Sequence, residues 1–264
     1  MTFFRKAGSA AQINWEIAGL QWLADAQDVG SVDHSGAFVV PIVGSGRTYL
    51  EEPRLHDIGA TPAHADAFGH ALAYTHAAGA SHWGAPPPRW SGDGWMGAAH
   101  LPLIDEAAHA PASWGTYYAS YRILPYLATS PFTPEQMRVI ERLCERLDNG
   151  DFEHDQPALL HGTGQQARLH GDLWGGNIMW TDRGAVLIDP AAQGGHAEED
   201  LAQLRVFGTP YADRIIAAYH EASPLCDGWR ERVTLHQMHM LMVHCHLFGG
   251  AYITETVSLA RRYL

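Results

Sequence analysis

Apolar positions along this chain follow two periods, and the changes between them mark out its parts. Over 11–26 (AQINWEIAGLQWLADA), Ile13, Ile17, Leu20 and Ala24 share one helical face, which predicts an amphipathic helix. Residues 3–6 ahead of it read as the end of a short strand. Residues 36–42 (GAFVVPI) and 47–53 (RTYLEEP) read as two more strands, with Gly44-Ser45-Gly46 as their hairpin turn. Pro62 to Ala78 returns to a helical pattern through Phe68, Leu72 and Tyr74. From 79 to 113 no period is sustained. Gly, Pro, Trp and Ala fill a long loop there, and long loops in compact domains are more often functional than idle.

Helices are predicted near 113–128 and 134–148, the second opened by the cap-then-proline signal Thr133-Pro134-Glu135. Residues 150–167 are polar and irregular. Ile178–Trp180 and Ala185–Ile188 then read as two short strands around an Asp-Arg-Gly turn. Helices follow from about 198, 210 and 229 to the end. The N-terminal 53 residues thus form a small α+β piece, and the rest is mainly helical.

Composition narrows the reading. A chain of 264 residues suits one large domain or two lobes and can bury a core without disulfides or a structural metal. With 46% apolar and 17% charged residues, it is an ordered globular sequence. The net charge of −12 makes nucleic acid a poor partner. Cys144, Cys226 and Cys245 are far apart and form no CxxC, which fits a reducing, cytoplasmic setting. The start, MTFFRKAGSA, lacks the apolar core of a signal peptide, and no stretch approaches the ~18 apolar residues of a membrane span. One oddity matters: of 17 cations, the only lysine is Lys6. There is no GxxxxGK[ST] phosphate loop, and any lysine chemistry must use Lys6.

The chemistry concentrates in ARLHGDLWGGNIMWTDRGAVLIDPAAQGGHAEEDLAQL. His170-Gly171-Asp172 places one carboxylate on a loop. Asn177 follows at the start of a strand, and the returning strand ends in Ile188-Asp189-Pro190. One Asp is free to engage a hydroxyl, while an Asn/Asp pair of oxygen ligands suits Mg²⁺. Phosphoryl transfer needs those parts, because its catalysis is mainly positioning and electrostatic stabilisation. Taken singly, the three are equally turn and cap residues. Their joint spacing favours the chemical reading.

The chain resembles the fructosamine (ketosamine) kinase family, a branch of the protein-kinase-like fold. The resemblance rests on LHGDLWGGN (169–177), LIDPAAQGGHAEEDLAQL (187–204), the W-x-x-Y-Y-x-x-x-R-I-L-P stretch from Trp114 to Pro125, and LHQ and VHCHLFGG near the end. It extends from about Lys6 onward. HGD-x4-N alone would also admit aminoglycoside phosphotransferases and choline kinases. HGDLWGGN with GH-x-E-x-DL points to ketosamine kinases.

The resemblance implies an α+β, two-lobed fold, with a truncated N-lobe over 1–53, a helical C-lobe over 54–264, and nucleotide in the cleft between them. It implies Asp172 as the group that orients or deprotonates the acceptor hydroxyl, and Asn177 and Asp189 as Mg²⁺ ligands. Lys6 would hold the α- and β-phosphates of ATP, with Glu16 as its helix partner. Trp174 would border the sugar site. Leu50-Glu51-Glu52-Pro53 would be the hinge, so that Glu51 and Glu52 offer their backbone to adenine. The implied activity is ATP- and Mg²⁺-dependent phosphorylation of a sugar hydroxyl on a ketosamine, a fructosamine or ribulosamine, borne by a small metabolite or a glycated amine. Its alternatives are a catalytically silent kinase-fold binding protein, or a kinase of another small acceptor such as an aminoglycoside or choline. An ammonium, as a compact point charge, suits the phosphate role given to Lys6.

Two departures stand out. A kinase N-lobe opens with two strands and a Gly-rich loop over the phosphates, whereas this sequence opens at the lysine strand. Gly44-Ser45-Gly46 cannot substitute, because it precedes the hinge rather than the lysine. The expectation is that nucleotide is held without a lid, that another element covers it, or that the true start lies upstream. An open site admits water and weakens its electrostatics, so weak ATP affinity or slow turnover is expected. Second, Ala197 stands where the family often has Arg, while Glu198 and Asp200 match and are expected to anchor the catalytic loop.

Other chemistry fits less well. His236, His239, His244 and His246 invite a metal reading, but no carboxylate completes a zinc spacing, and packing is the expected role. No HExxH occurs, and Gly79-Ala80-Ser81-His82-Trp83 fails the GxSxG pattern at its last place. Trp83, Trp90, Trp95 and Trp114 serve equally as sugar-stacking rings or as core.

Overall fold

The computed structural model describes residues 2–27 and 35–264. It opens with strand β1 (Phe3–Ala7) and helix α1 (Ala10–Ala24). Ser9 starts that helix through a reciprocal cap with Gln12, which satisfies two amides that the first turn leaves unpaired. Ile13, Leu20 and Leu23 turn inward, as the helical period requires. Strands β2 (Phe38–Val39), β3 (Gly44–Gly46) and β4 (Tyr49–Pro53) follow. The first sheet is antiparallel in the order β1-β4-β3.

Two expectations are corrected in this region. Gly44-Ser45-Gly46 is the strand β3 itself, paired Gly44 to Glu51 and Gly46 to Tyr49, and the turn falls on Arg47 and Thr48. The glycines serve close approach rather than turning. A Cβ on Gly46 would run into the Tyr49 ring, and one on Gly44 into the Glu51 carboxylate. The second correction concerns 36–42. Only Phe38–Val39 is a strand, and it pairs in parallel with Val186–Leu187 of another sheet. A strand period shows which faces are apolar but does not name the partner.

Helix α2 (Pro62–Ala77) has the Thr61 cap and first-turn proline typical of a helix start. The stretch from 79 to 113 contains a small hairpin, β5 (Gly94–Met96) with β6 (Ala99–Leu101), where the sequence predicts only loop. Helices α3 (Trp114–Tyr117) and α4 (Leu124–Leu127) flank a π-wound turn, Tyr118–Ile123. Pro125, which has no N–H to donate, sits just beyond that turn. Helix α5 (Pro134–Asp148) begins with a Thr133–Gln136 capping box.

Strands β7 (Ala167–Leu169), β8 (Ile178–Thr181), β9 (Gly184–Leu187) and β10 (Gln193–Gly195) then form the sheets β2-β9-β8 and β10-β7. Helices α6 (Ala197–Gln203), α7 (Ala212–Ala222), α8 (Trp229–His236), α9 (Met238–Phe248) and α10 (Ala251–Ala260) complete the chain. One core joins Leu20 and Leu50 to Leu72, Leu169, Leu187 and Tyr219, so packing runs across the 53/54 boundary. A second core gathers Trp114, Tyr118, Ile140 and Met240. Among the described residues, no helix is long and apolar enough to cross a membrane.

Candidate active site

The loop His170-Gly171-Asp172 leaves β7 under tight control from α6. The Asp200 carboxylate accepts the His170 amide at 2.7 Å and the Gly171 amide at 2.9 Å. Gln203 accepts the Leu173 amide at 2.6 Å and donates to the Gly171 carbonyl at 3.0 Å. Gly171 has φ +82°, and a Cβ there would collide with the Ala191 carbonyl, so glycine is required. His170 donates through Nε2 to the Ile188 carbonyl at 2.9 Å, tying the loop to the strand that carries the second carboxylate. Asp200 thus anchors the loop. Glu198 does not: its carboxylate is taken by Arg232 at 2.6 and 3.0 Å, away from the loop.

The β8–β9 register, Ile178 opposite Leu187, brings Asn177 beside Ile188 and Asp189. The Ile188 amide donates to the Asn177 carbonyl at 3.1 Å. Asn177 donates through Nδ2 to the Asp172 carbonyl at 2.8 Å and to Asp172 Oδ2 at 3.0 Å, which leaves its Oδ1 for another partner. Asp189 sits at φ +54°, a left-handed conformation uncommon outside glycine and frequent at functional sites. Burial raises the Asp172 carboxyl to about 6; the Asp200 charge adds to the rise, and the Asn177 hydrogen bond opposes it.

Lys6 reaches this centre from β1. Its ammonium lies 2.5 Å from Glu16 and 3.7 Å from Glu52, and it forms a close ion pair with Asp189. Burial pushes the Glu52 carboxyl up, against the pull of Lys6. The chain's one ammonium therefore faces three carboxylates, with Asp172 lining the same cavity. Asn177 Oδ1 and these carboxylates are hard oxygen donors of the kind that could hold a divalent cation.

Three cavities run end to end through the site. The first, about 280 Å³, is a largely apolar slot bounded by Phe4, Val40, Leu55 and Met179, with Lys6 and Asp189 at its inner end. The second, about 510 Å³, holds Lys6, Glu16, Asp172, Asn177 and Asp189. The third, about 430 Å³, shares Asp172 and Trp174 with the second and is otherwise aromatic and apolar. Trp174 therefore stands between the charged middle and the aromatic end. The β5–β6 hairpin lends Trp95 and Gly97 to the wall of the charged section, fixed by a 2.9 Å hydrogen bond from Trp15 Nε1 to the Trp95 carbonyl. The hairpin thus forms part of the chamber's wall.

Glu51 is corrected. It lies in the middle strand of its sheet. Its carbonyl accepts the Val43 amide at 2.9 Å, and its side chain pairs with Arg5 on the exposed face. A carbonyl already committed to the β3 side is not free for adenine. Glu52 does border the slot, together with Pro53, Arg54 and Leu55. The tryptophans divide: Trp114 is core, stacked on Tyr118 at 4.9 Å, while Trp95 lines the groove. The four C-terminal histidines scatter. His236 meets His154 and His196, His239 packs on Tyr126, His246 meets Thr129, and His244 lines the aromatic cavity. The sequence reading missed His244 and Phe207 at the groove; the only signal for His244 was its place in VHCHLFGG.

Comparison with known proteins bears on the family and the fold. The family model described as "Fructosamine kinase" matches residues 14–264, a span that starts after Lys6. A probable ketoamine kinase of Synechocystis is 30% identical over 203 residues, 74% of this chain and 61% of that protein. The curated relatives that the chain matches are covered over about one third to three fifths of their own length. A solved Thermobifida fusca structure named for fructosamine-3-kinase superposes with TM-score 0.81 at 37% identity, over 99% of this chain and 85% of that one. The ternary complex of APH(2″)-IIa with streptomycin and ATP shares the fold alone, with TM-score 0.54 and 12% identity over 98% of this chain and 84% of that one. The fold is protein-kinase-like, α+β and mainly helical.

Proposed function

Because the chain belongs to the fructosamine kinase family, we propose that it transfers the γ-phosphoryl group of ATP to a sugar hydroxyl of a ketosamine. The observation that carries this reading is the convergence of Asp172, Asn177, Asp189 and Lys6 on one charged chamber between an apolar slot and an aromatic cavity. In this reading the slot takes adenine, the chamber takes the phosphates, and the aromatic cavity takes the acceptor. The N-terminal sheet with α1 forms one lobe and the helical remainder the other, with the boundary near 53.

Asp172 accepts the proton of the attacking hydroxyl as that oxygen bonds to the γ-phosphorus and the bond to the β–γ bridging oxygen breaks. The Asn177 amide holds the Asp172 carboxylate in place for that acceptance. Asn177 Oδ1 and Asp189 would hold Mg²⁺, which when bound neutralises phosphate charge. Lys6, positioned by Glu16, supplies a point charge for the phosphates. Three free cysteines among the described residues fit a reducing cytoplasm.

The test is incubation with ATP, Mg²⁺ and a panel of ribulosamines and fructosamines, read by mass spectrometry for the phosphate adduct. Product from the wild-type chain that Asp172→Asn does not form supports the reading. No product from any acceptor, together with no ATP binding by calorimetry, refutes it.

A further inference from the structure

The aromatic cavity continues away from Asp172 as a chain of rings. Trp174 meets Phe207 edge-on at 5.8 Å, Phe207 meets His244 at 4.9 Å, and His244 meets Tyr252 at 4.9 Å and Phe248 at 5.4 Å. Three of these rings face solvent at the cavity mouth: Trp174 is 37% exposed, Phe207 40% and Phe248 65%. Contiguous exposed aromatics beside a chemical centre mark a binding surface. Among the described lining residues, Asp172 is the only carboxylate, and neither Lys nor Arg is present.

His244 refines the chemistry. Its Nδ1 donates to the Met240 carbonyl at 2.8 Å, which leaves Nε2 as an acceptor in the cavity. Burial holds the ring below its ordinary pKa, so it is neutral at neutral pH. A cavity with ring faces, one neutral nitrogen acceptor and one carboxylate favours a cationic N–H carried on an apolar body. Among the described lining residues it offers an anion no cation, only the Tyr252 hydroxyl and the Trp174 N–H, and a desolvated carboxylate without a countercharge is disfavoured.

Building on the kinase reading above, we propose that this cavity receives the amine side of the acceptor, and that the amine carries an apolar, preferably aromatic, substituent and no carboxylate. Glycated free amino acids are then poor acceptors, because their carboxylate would enter a space without a cation. Ketosamines of aryl-alkyl amines are the preferred class.

The test compares one ketose joined to benzylamine, to phenylalanine and to methylamine. Phenylalanine keeps the ring and adds the carboxylate on one further carbon, so the 2-phenylethylamine adduct is run beside it as the chain-length control; methylamine removes the ring. The expected kcat/KM is about 30-fold higher for the benzylamine adduct than for the phenylalanine adduct, the cost of an unpaired anion. It is about 10-fold higher than for the methylamine adduct, the value of burying the ring. Phe248→Ala, at a largely exposed site, is expected to raise the benzylamine adduct's KM about fivefold, toward that of the methylamine adduct. Equal kcat/KM for the benzylamine and phenylalanine adducts overturns the proposal. So does a Phe248→Ala protein that loses self-association in sedimentation but keeps the wild-type preference, since the rings would then serve a second copy. If no adduct is turned over, the kinase reading fails separately. Calorimetric binding of the benzylamine and methylamine adducts then decides the cavity's role: tighter benzylamine binding that Phe248→Ala abolishes supports it, and equal affinity overturns it.

Discussion

Two polar centres of this molecule treat charge in opposite ways. In the groove, one ammonium confronts Glu16, Glu52 and Asp189, with Asp172 lining the same chamber. In the second core, His154, His196 and His236 gather around Trp114, and Glu198 is gripped by Arg232. There the charges cancel one for one. His154 donates to the Phe152 carbonyl at 2.7 Å, and His196 donates to the Asp155 carbonyl at 3.1 Å while accepting the Glu198 amide at 3.2 Å. Burial drives His154 down to about 3 and His196 and His236 well below their usual range, so the rings are neutral struts. The contrast teaches that balance, not polarity, separates a strut from a reactive site. In the cluster the one charged pair, Arg232 and Glu198, cancels within the protein, although among the described residues His236 Nδ1 and Trp114 Nε1 are left without a partner; in the groove three carboxylates face one ammonium.

The largest expected effect falls on the balanced centre. Arg232→Met leaves Glu198 buried and unpaired, and should cost about 3–5 kcal/mol of stability in a urea titration. Adding Glu198→Leu should restore most of that loss, because the pair then leaves together. A single variant as stable as wild type would show that the cluster is not held by that pair.

The groove should show the reverse pattern. Asp172→Asn should lower kcat by ~10²-fold or more with the fold intact. Near-normal turnover in that variant would remove Asp172 from the role of base. Lys6→Ala should lower kcat/KM for ATP by roughly 10- to 100-fold, the worth of a charge-assisted phosphate contact. Unchanged kinetics would make the sole lysine a bystander.

The smallest effect is a pH dependence. In the proposed reaction Asp172 acts as the ionised carboxylate, and burial raises its pKa to about 6, so kcat/KM should be full above pH 7. It should fall as pH drops through 6, about tenfold for each further unit. The histidine cluster, neutral until far lower pH, contributes nothing to that limb. An acid limb near 4 instead would mean that burial does not perturb Asp172.

How much of this was legible in the sequence follows from distance along the chain. Asp172, Asn177 and Asp189 lie within one loop and one hairpin, so spacing alone places them together. Lys6 and Glu16 are joined by a single strand and one helix, and they meet as expected. The failures involve partners that local pattern does not encode. The strand at Phe38–Val39 is apolar enough to be recognised, but its pairing with β9 is a contact across nearly 150 residues. Glu51 has the right place in the hinge motif, yet its carbonyl is taken on the β3 side by the Val43 amide. The β5–β6 wall is too short and too rich in glycine and tryptophan to show a period. His154, His196 and His236 come from three separate segments, and only the folded core brings their rings within about 5 Å of one another.

The claim that surplus carboxylate makes the groove reactive is tested most directly by calorimetric titration of ATP, with and without Mg²⁺, into the wild-type chain and Asp189→Asn. The account predicts that the wild-type chain binds ATP well only with Mg²⁺. It also predicts that Asp189→Asn weakens binding of the magnesium complex while improving binding of metal-free ATP, because one repelling charge is gone. ATP affinity that ignores both Mg²⁺ and the substitution would contradict it.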